Sequence, residues 1–264
     1  ITSGMHERAS SYAPDHLELL APKNLPLVKA GDALADFVLA GLRSNRMILQ
    51  DGDVLVIAQK VVSKAEGRTI ALESIVPSAE ARERAQVVQK DPRLIEAILR
   101  EAACVVRQAP GVLIVEHRLG FVMANAGVDQ SNTQPGQIVL LPENPDHSAA
   151  HLANDIHRAT GRQVAVIVSD SIGRAWRNGT VGHALGVAGL TPVLDLRGTA
   201  DLFERPLQVT EVAIADEIAA AASLLMGQAR EAKPVVIVRG FTNPQAMTGK
   251  GPGLLRDKAL DLFR

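Results

Sequence analysis

Cysteine occurs once in this chain of 264 residues, at Cys104. A lone thiol excludes an intramolecular disulfide framework and a zinc centre built on several thiolates. Cys104 sits in the apolar run 102–106, which predicts a buried, inert side chain rather than a nucleophile. Aromatic residues are scarce too, at 3%, so stacking platforms for single-stranded nucleic acid are not expected. The 28 Lys and Arg almost balance the 29 Asp and Glu, for a net charge of −1. That balance offers no basic surface for nucleic acid. No apolar stretch approaches the roughly 18 residues that cross a bilayer. Nor does the chain open with a basic segment followed by an apolar one, as a secretory signal would. The expected compartment is the cytoplasm, with neither nucleic acid nor membrane as partner. Residues 1–16 read as a cloning remnant (Ile1 to Gly4, before Met5) and a polar leader, and 17–264 as one folded domain.

What the chain does have is aliphatic bulk, with 47% apolar residues. Its core is therefore expected to be Val, Leu, Ile and Ala, in a chain long enough to bury a sizeable one. Apolar runs bounded by turn residues predict strands at 17–20, 53–58, 112–116, 120–124, 138–141, 164–168, 192–196 and 234–238. Helices are predicted over 31–42, where Leu34, Phe37, Val38 and Leu42 recur at helical spacing, and over 80–90, 91–106, 146–160 and 210–229. Asp91-Pro92 supplies an N-cap followed by a first-turn proline. Asp146 is the candidate cap of the fourth helix, and Gly161 its stop. Helices and strands interleave without a strict βαβ rhythm, which predicts an α+β fold with mixed sheets and flanking helices.

Polar bursts follow three of the predicted strands. After 164–168 comes Ser169-Asp170-Ser171-Ile172-Gly173-Arg174. Strand ends are where sheet proteins mount ligand-contacting side chains, and an Asp beside a hydroxyl suits magnesium or manganese. A turn in which Asp170 or Ser171 caps a helix is an equal alternative. After 120–124 comes Asn125-Ala126-Gly127-Val128-Asp129-Gln130-Ser131-Asn132. By itself this segment favours an Asx turn, but two strand-end Asp loops together fit a cation bridging phosphate oxygens. After 53–58, Lys60, Lys64 and Arg68 recur every four residues, which stacks them on one helix face, as a solvated basic face or a phosphate site. His117, in Glu116-His117-Arg118, reads as a surface-turn histidine first and a general base second. Asp195, Arg197 and Asp201 read as pairing within a loop. Residues 248–253 are glycine-rich but lack phosphate-loop spacing and read as a flexible loop.

Five separated blocks share one likeness: QKVVSKAEGR, VEHRLGFVMANAGVDQSN, SDSIGRAWRNGTVGHALGVAGL, DLRGTADLFERPLQVTEVAIADEIAAAASLLMG and the closing LDLFR. In this order they resemble the coenzyme F420-0:L-glutamate ligase family. The resemblance implies a GTP-dependent enzyme joining L-glutamate to F420-0 through a γ-linked amide. It implies a homodimer with active sites near the subunit interface, two divalent ions (magnesium or manganese) and a potassium ion. Carried over by position, Asp129 and Asp170 are ligands of the first metal and Ser171 of the second. Leu25, Pro26, Leu27, Val28, Gln59, Lys64 and Asn132 fall on nucleotide-contacting positions. Met226, Gly227 and Gln228 fall on a nucleotide and metal segment, Gln228 as a metal ligand. Lys64 and Arg174 are candidate catalytic cations, and His117 a candidate base. One departure stands after Asn178-Gly179, where Thr180-Val181-Gly182 replaces the family's Gln-Thr-Asp. With LDLFR at its end, the chain is not expected to carry the nitroreductase-like extension of fused relatives. The rival readings are a metal-dependent phosphotransferase or phosphatase, and a non-catalytic nucleotide- or F420-binding protein.

Overall fold

Two segments, 54–57 and 165–168, are apolar with no polar alternation, the pattern of strands covered on both faces. In the computed structural model, which describes residues 13–242 and 250–261, they form the centre of a five-stranded sheet. Its strands are β1 (Glu18–Leu20), β12 (Val235–Arg239), β2 (Val54–Ala58), β8 (Ala165–Arg174) and β9 (Arg177–Ala188), in that spatial order. β2 and β8 run parallel, in register from Val54↔Ala165 to Ala58↔Ser169, and the other pairs are antiparallel. Helices α1 (Leu34–Ser44) and α5 (Pro145–Thr160) cover one face, around Leu42, Leu55, Ile57, Leu152, Ile156 and Val166. Helix α6 (Ile214–Met226) covers the other, over Val54, Val56, Ile167 and Val236. It packs close to β9 because Gly182 has no side chain: a Cβ there would lie 2.3 Å from the Ala219 carbonyl oxygen.

Short helix α2 (Gln59–Ala65) and the β3 (Thr69–Ala71)–β7 (Gln137–Val139) pair lead into a second layer. There α3 (Ala79–Val88) and α4 (Pro92–Glu101) pack on the sheet of β4 (Ala102–Ala109), β5 (Val112–His117) and β6 (Val122–Ala124). Phe121, Met123, Leu141, Ile172 and Leu185 form a small apolar joint between the layers. β10 (Leu194–Asp195) and β11 (Glu211–Val212) pair at the base of a projecting arm. Together these elements make a mixed α+β architecture. Among the described residues, no helix is long and apolar enough to cross a membrane.

The predicted helix 91–106 stops at Glu101, and 102–109 becomes β4. Pro110-Gly111, with Gly111 at φ 86°, closes a hairpin that pairs β4 with β5, and non-local pairing overrides the helical reading of the Ala-rich start. Cys104 is consequently exposed, not buried, its Sγ 3.6 Å from Glu116 Oε2. The α5 cap is Asn144, whose side chain accepts from the His147 amide at 3.0 Å. Asp146 instead accepts from Val187 N–H at 2.8 Å and Gly251 N–H at 2.7 Å. Strand 164–168 continues to Arg174, and 177–188, too rich in Gly, Arg and His to show alternation, is its antiparallel partner. The predicted helix 210–229 contracts to α6, with 211–212 in a strand. Of the glycine-rich segment, Gly251–Leu254 forms a 3₁₀ turn, while Thr248 and Gly249, like residues 1–12, lie outside the described residues.

Candidate nucleotide and metal site

The parallel pair β2/β8 ends at Ala58↔Ser169, and there the two chains part. β2 passes directly into α2, whereas β8 runs on into its hairpin with β9. A crevice opens beyond the carboxyl ends of strands at such a divergence. Here it is a cavity of about 410 Å³. Leu25, Pro26, Leu27 and Val28 line it from one side, Gln59 and Lys64 from α2, Asn132 from the second layer, and Asp170 and Ser171 from β8. Met226, Gly227 and Gln228 close it at the end of α6, where Gly227 takes a positive φ of 72° as a C-terminal stop does. Lys60, Ser223, Arg230 and Lys233 also line it. Lys60 belongs to the basic series read from sequence. The 229–234 loop carried no pattern of its own beyond two basic residues.

Asp170 forms part of a β-ladder, so the helix-capping alternative does not hold for it. Its Oδ1 accepts from Ser171 N–H at 2.8 Å. Burial raises the Asp170 pKa to about 6, and the nearby charge of Asp129 adds to the rise, against the Ser171 amide and the Lys60 ammonium. Asp129 is not among the residues that line the cavity; it stands behind Lys60, which is. The Lys60 Nζ is 2.6 Å from Asp129 Oδ2, and Ser131 N–H donates to Oδ1 at 2.6 Å. The Asx turn and the strand-end carboxylate are thus both present. Burial pushes Asp129 up, but Lys60 and the Ser131 amide outweigh it and hold the carboxyl below its ordinary value. Lys64 donates to the Asn132 carbonyl at 2.5 Å, and its pKa is lowered by burial and by the charge of Lys60. Gln59 Oε1 accepts from Ser63 Oγ at 2.9 Å. Its Nε2 is buried at the cavity wall without a hydrogen bond of full geometry among the described residues, and the side chain is turned toward Asp170, whose pKa it lowers.

The remaining candidates lie elsewhere. Arg68 falls beyond the end of α2, so the basic series divides. Its guanidinium reaches Leu141 O at 3.0 Å and Glu101 Oε2 at 2.9 Å. His117 is buried, not a surface-turn residue; its Nδ1 accepts from Leu119 N–H at 2.9 Å and its Nε2 is 3.5 Å from Glu101 Oε2. Arg174 lines a second cavity of about 260 Å³. Asp195 pairs with Arg197 and Asp201 with Arg205, each within its loop.

Among the described residues no three His, Cys, Asp or Glu gather around a point. Two carboxylates and a hydroxyl do fit a hard divalent ion that completes its shell with phosphate oxygens and water. The Lys60 ammonium, held against Asp129, shows that this corner favours positive charge.

Comparison with known proteins shows the family. The model of the F420-0:gamma-glutamyl ligase family matches residues 23–240. Over 249 residues the chain is 47% identical to the coenzyme F420:L-glutamate ligase of Methanothermobacter thermautotrophicus, covering 94% of this chain and 99% of that protein. The proteins of the same name from Methanocaldococcus jannaschii and Methanopyrus kandleri are 46% and 45% identical, over 91% and 90% of this chain and 94% and 93% of their own. The fold and cavity therefore go with a ligase family. The chain belongs to the F420-0:gamma-glutamyl ligase family.

Proposed function

We propose that the chain joins L-glutamate to coenzyme F420-0 through a γ-linked amide, consuming GTP by way of an acyl phosphate, and extends the tail by further glutamates. The carrying observation is the single cavity beyond β2/β8. It collects Asp170, Ser171, Lys64 and the buried Gln59 amide in a chain nearly half identical to named ligases.

A carboxylate acylates poorly because oxide must leave, and phosphorylation supplies a better leaving group. Lys60 and Lys64 draw the phosphates in and offset charge on the transferring group. Gln59 Nε2 offers a donor to a ligand oxygen, and Leu25 to Val28 give the base an apolar wall. Asp129, Asp170, Ser171 and Gln228 would hold two divalent ions, magnesium or manganese, whose chemistry would be to neutralise phosphate charge, and a potassium ion would accompany them. The chain works in the cytoplasm as a homodimer. That assembly is supported by Leu202, Phe203 and Val209, exposed at 97%, 77% and 83% on the β10–β11 arm.

The test is incubation with F420-0, GTP, magnesium and L-glutamate, followed by mass analysis. Products heavier by whole glutamate residues, with one GDP each, are expected. GTP hydrolysis with no mass increment would overturn the reading in favour of a phosphatase.

A further inference from the structure

The second cavity adjoins the first. Asp170 and His183 are directly opposed in the β8/β9 ladder, a relation that brings Cβ atoms within about 5.5 Å on one face. Asp170 lines the larger cavity and His183 the smaller. At about 260 Å³ the smaller is below the roughly 300–1,000 Å³ of drug-sized ligand sites, too small for a deazaflavin and suited to a small polar molecule.

Its lining carries both signs of charge. Arg174 contributes a guanidinium whose Nη1 is sealed from solvent and has no hydrogen-bond partner among the described residues. A buried N–H left unpaired is costly, so this guanidinium is not locked by a protein partner at Nη1 and is free to turn toward an anionic acceptor in the cavity, which a guanidinium binds best. Asp216 provides the opposite charge. Its Oδ1 accepts from Ala184 N–H at 2.8 Å, which fixes the carboxylate and leaves Oδ2 as a further acceptor. His183 Nδ1 lies 2.9 Å from the Val181 carbonyl. A carbonyl can only accept, so Nδ1 carries a hydrogen, and in the neutral imidazole Nε2 is the acceptor. Phe121, Ile172 and Leu255 complete the lining with apolar surface.

We propose that this second cavity is the subsite for the incoming amino acid, with Arg174 binding a carboxylate of L-glutamate and Asp216 receiving its ammonium group. The inference rests on the ligase reading above and moves Arg174 from the phosphates to the amino acid. A zwitterion is the ligand class that uses both charges. A carboxylate on the F420 tail would use Arg174 and leave Asp216 without a cation.

Arg174→Ala, Arg174→Lys and Asp216→Asn separate these outcomes, since asparagine keeps the acceptor for Ala184 N–H. Initial rates are measured with glutamate, GTP and F420-0 varied in turn. Arg174→Ala and Asp216→Asn are expected to raise the KM for glutamate about tenfold or more, with Arg174→Lys between them and the wild type. The KM values for GTP and F420-0 stay within about twofold. An unchanged KM for glutamate, or a rise confined to F420-0, would overturn the assignment. If Arg174→Ala does not fold, Asp216→Asn decides on the same readout. If the wild type forms no glutamylated product, the ligase reading fails by itself. Calorimetric titration of L-glutamate into wild type and Asp216→Asn then tests the subsite separately, and equal or absent binding in both overturns it.

Discussion

Two clusters in this protein bring carboxylates against cations, one around the buried Glu101 and one around the half-buried Asp170, and they differ in what is left over. Around Glu101 each oxygen has an arginine partner, Arg118 Nη2 at 2.7 Å from Oε1 and Arg68 Nη2 at 2.9 Å from Oε2, with the His117 Nε2 a further 3.5 Å contact to Oε2. No cavity adjoins it among those described. Around Asp170 there is one amide hydrogen bond, a carboxyl raised to about 6 by burial, and a Gln59 amide on a cavity wall without a hydrogen bond of full geometry. The first cluster has one shortfall, the buried His117 Nε2, which lacks a hydrogen bond of full geometry, but with no cavity beside it the cluster can only hold the fold. The second is incomplete without a ligand. Unsatisfied capacity beside a cavity, rather than charge density, is what marks the functional one.

The largest effect expected from breaking this contrast is on turnover. Asp170→Asn is expected to cost about 4 kcal/mol of transition-state stabilisation, roughly a thousandfold in kcat/KM. Asp129→Asn should cost less, about a hundredfold, because Asp129 stands behind Lys60 rather than on the cavity wall and shares its charge with it. Steady-state kinetics across a magnesium titration measures both. Wild-type rates in either variant at limiting magnesium would remove that residue from the metal set. The metal-free protein carries a second signature. A carboxyl raised in the folded state stabilises below its ordinary pKa and ceases to as pH rises through the raised value. Without divalent ions the wild type should therefore lose stability between about pH 4 and 6. Asp170→Asn should lack that component in thermal melts.

The Glu101 cluster responds in the opposite sense. Glu101→Gln removes the charge shared by Arg68, which keeps Glu143 and the Leu141 carbonyl, and by the largely exposed Arg118, and is expected to cost about 2 kcal/mol of stability. The kcat/KM of the folded fraction should change little. Burial alone would raise Glu101, but His117, Arg118 and Arg68 outweigh it and hold the carboxyl below its usual value. Its contribution is present above the ordinary glutamate pKa and lost as pH falls below it. Denaturant titrations from pH 5 to 3 should show a steeper decline for wild type than for Glu101→Gln. Parallel declines would mean that Glu101 is not ionised in the fold.

Much of this contrast is legible in the amino-acid sequence. The apolar runs at 54–57 and 165–168 announce doubly covered strands, and the polar residues following them are the ones that line the cavity. Asp129 and Asp170 come together from different layers, which no local pattern can show. Only the family resemblance joins them to Leu25 and Met226. What stays hidden at the level of sequence depends on long-range pairing. β4 looks helical until Pro110-Gly111 folds it onto β5, and β9 shows no alternation because α6 lies against its Gly182 and the start of α5 against its Gly186. The same blindness applies to His117. Its flanking turn suggests exposure, and burial comes from Glu101 on a helix that ends 16 positions earlier.

His117 gives the smallest expected effect and the sharpest test of the comparison. As a general base it would need to reach the amine of the incoming amino acid, yet it lines neither cavity. Its Nδ1 accepts from Leu119 N–H and its Nε2 faces Glu101, so both nitrogens serve the turn and the ion cluster. His117→Asn can retain an acceptor for the turn but shortens the reach to Glu101. A loss of about 1 kcal/mol in stability is expected, with kcat/KM within about twofold and its pH profile unmoved. A base would behave otherwise, because its removal typically costs a hundredfold or more and deletes the acidic limb of that profile. A flattened limb in His117→Asn would place catalysis in the cluster assigned here to structure. An unmoved limb leaves His183, which does line the second cavity with its Nε2 as acceptor, as the histidine positioned to meet the amine.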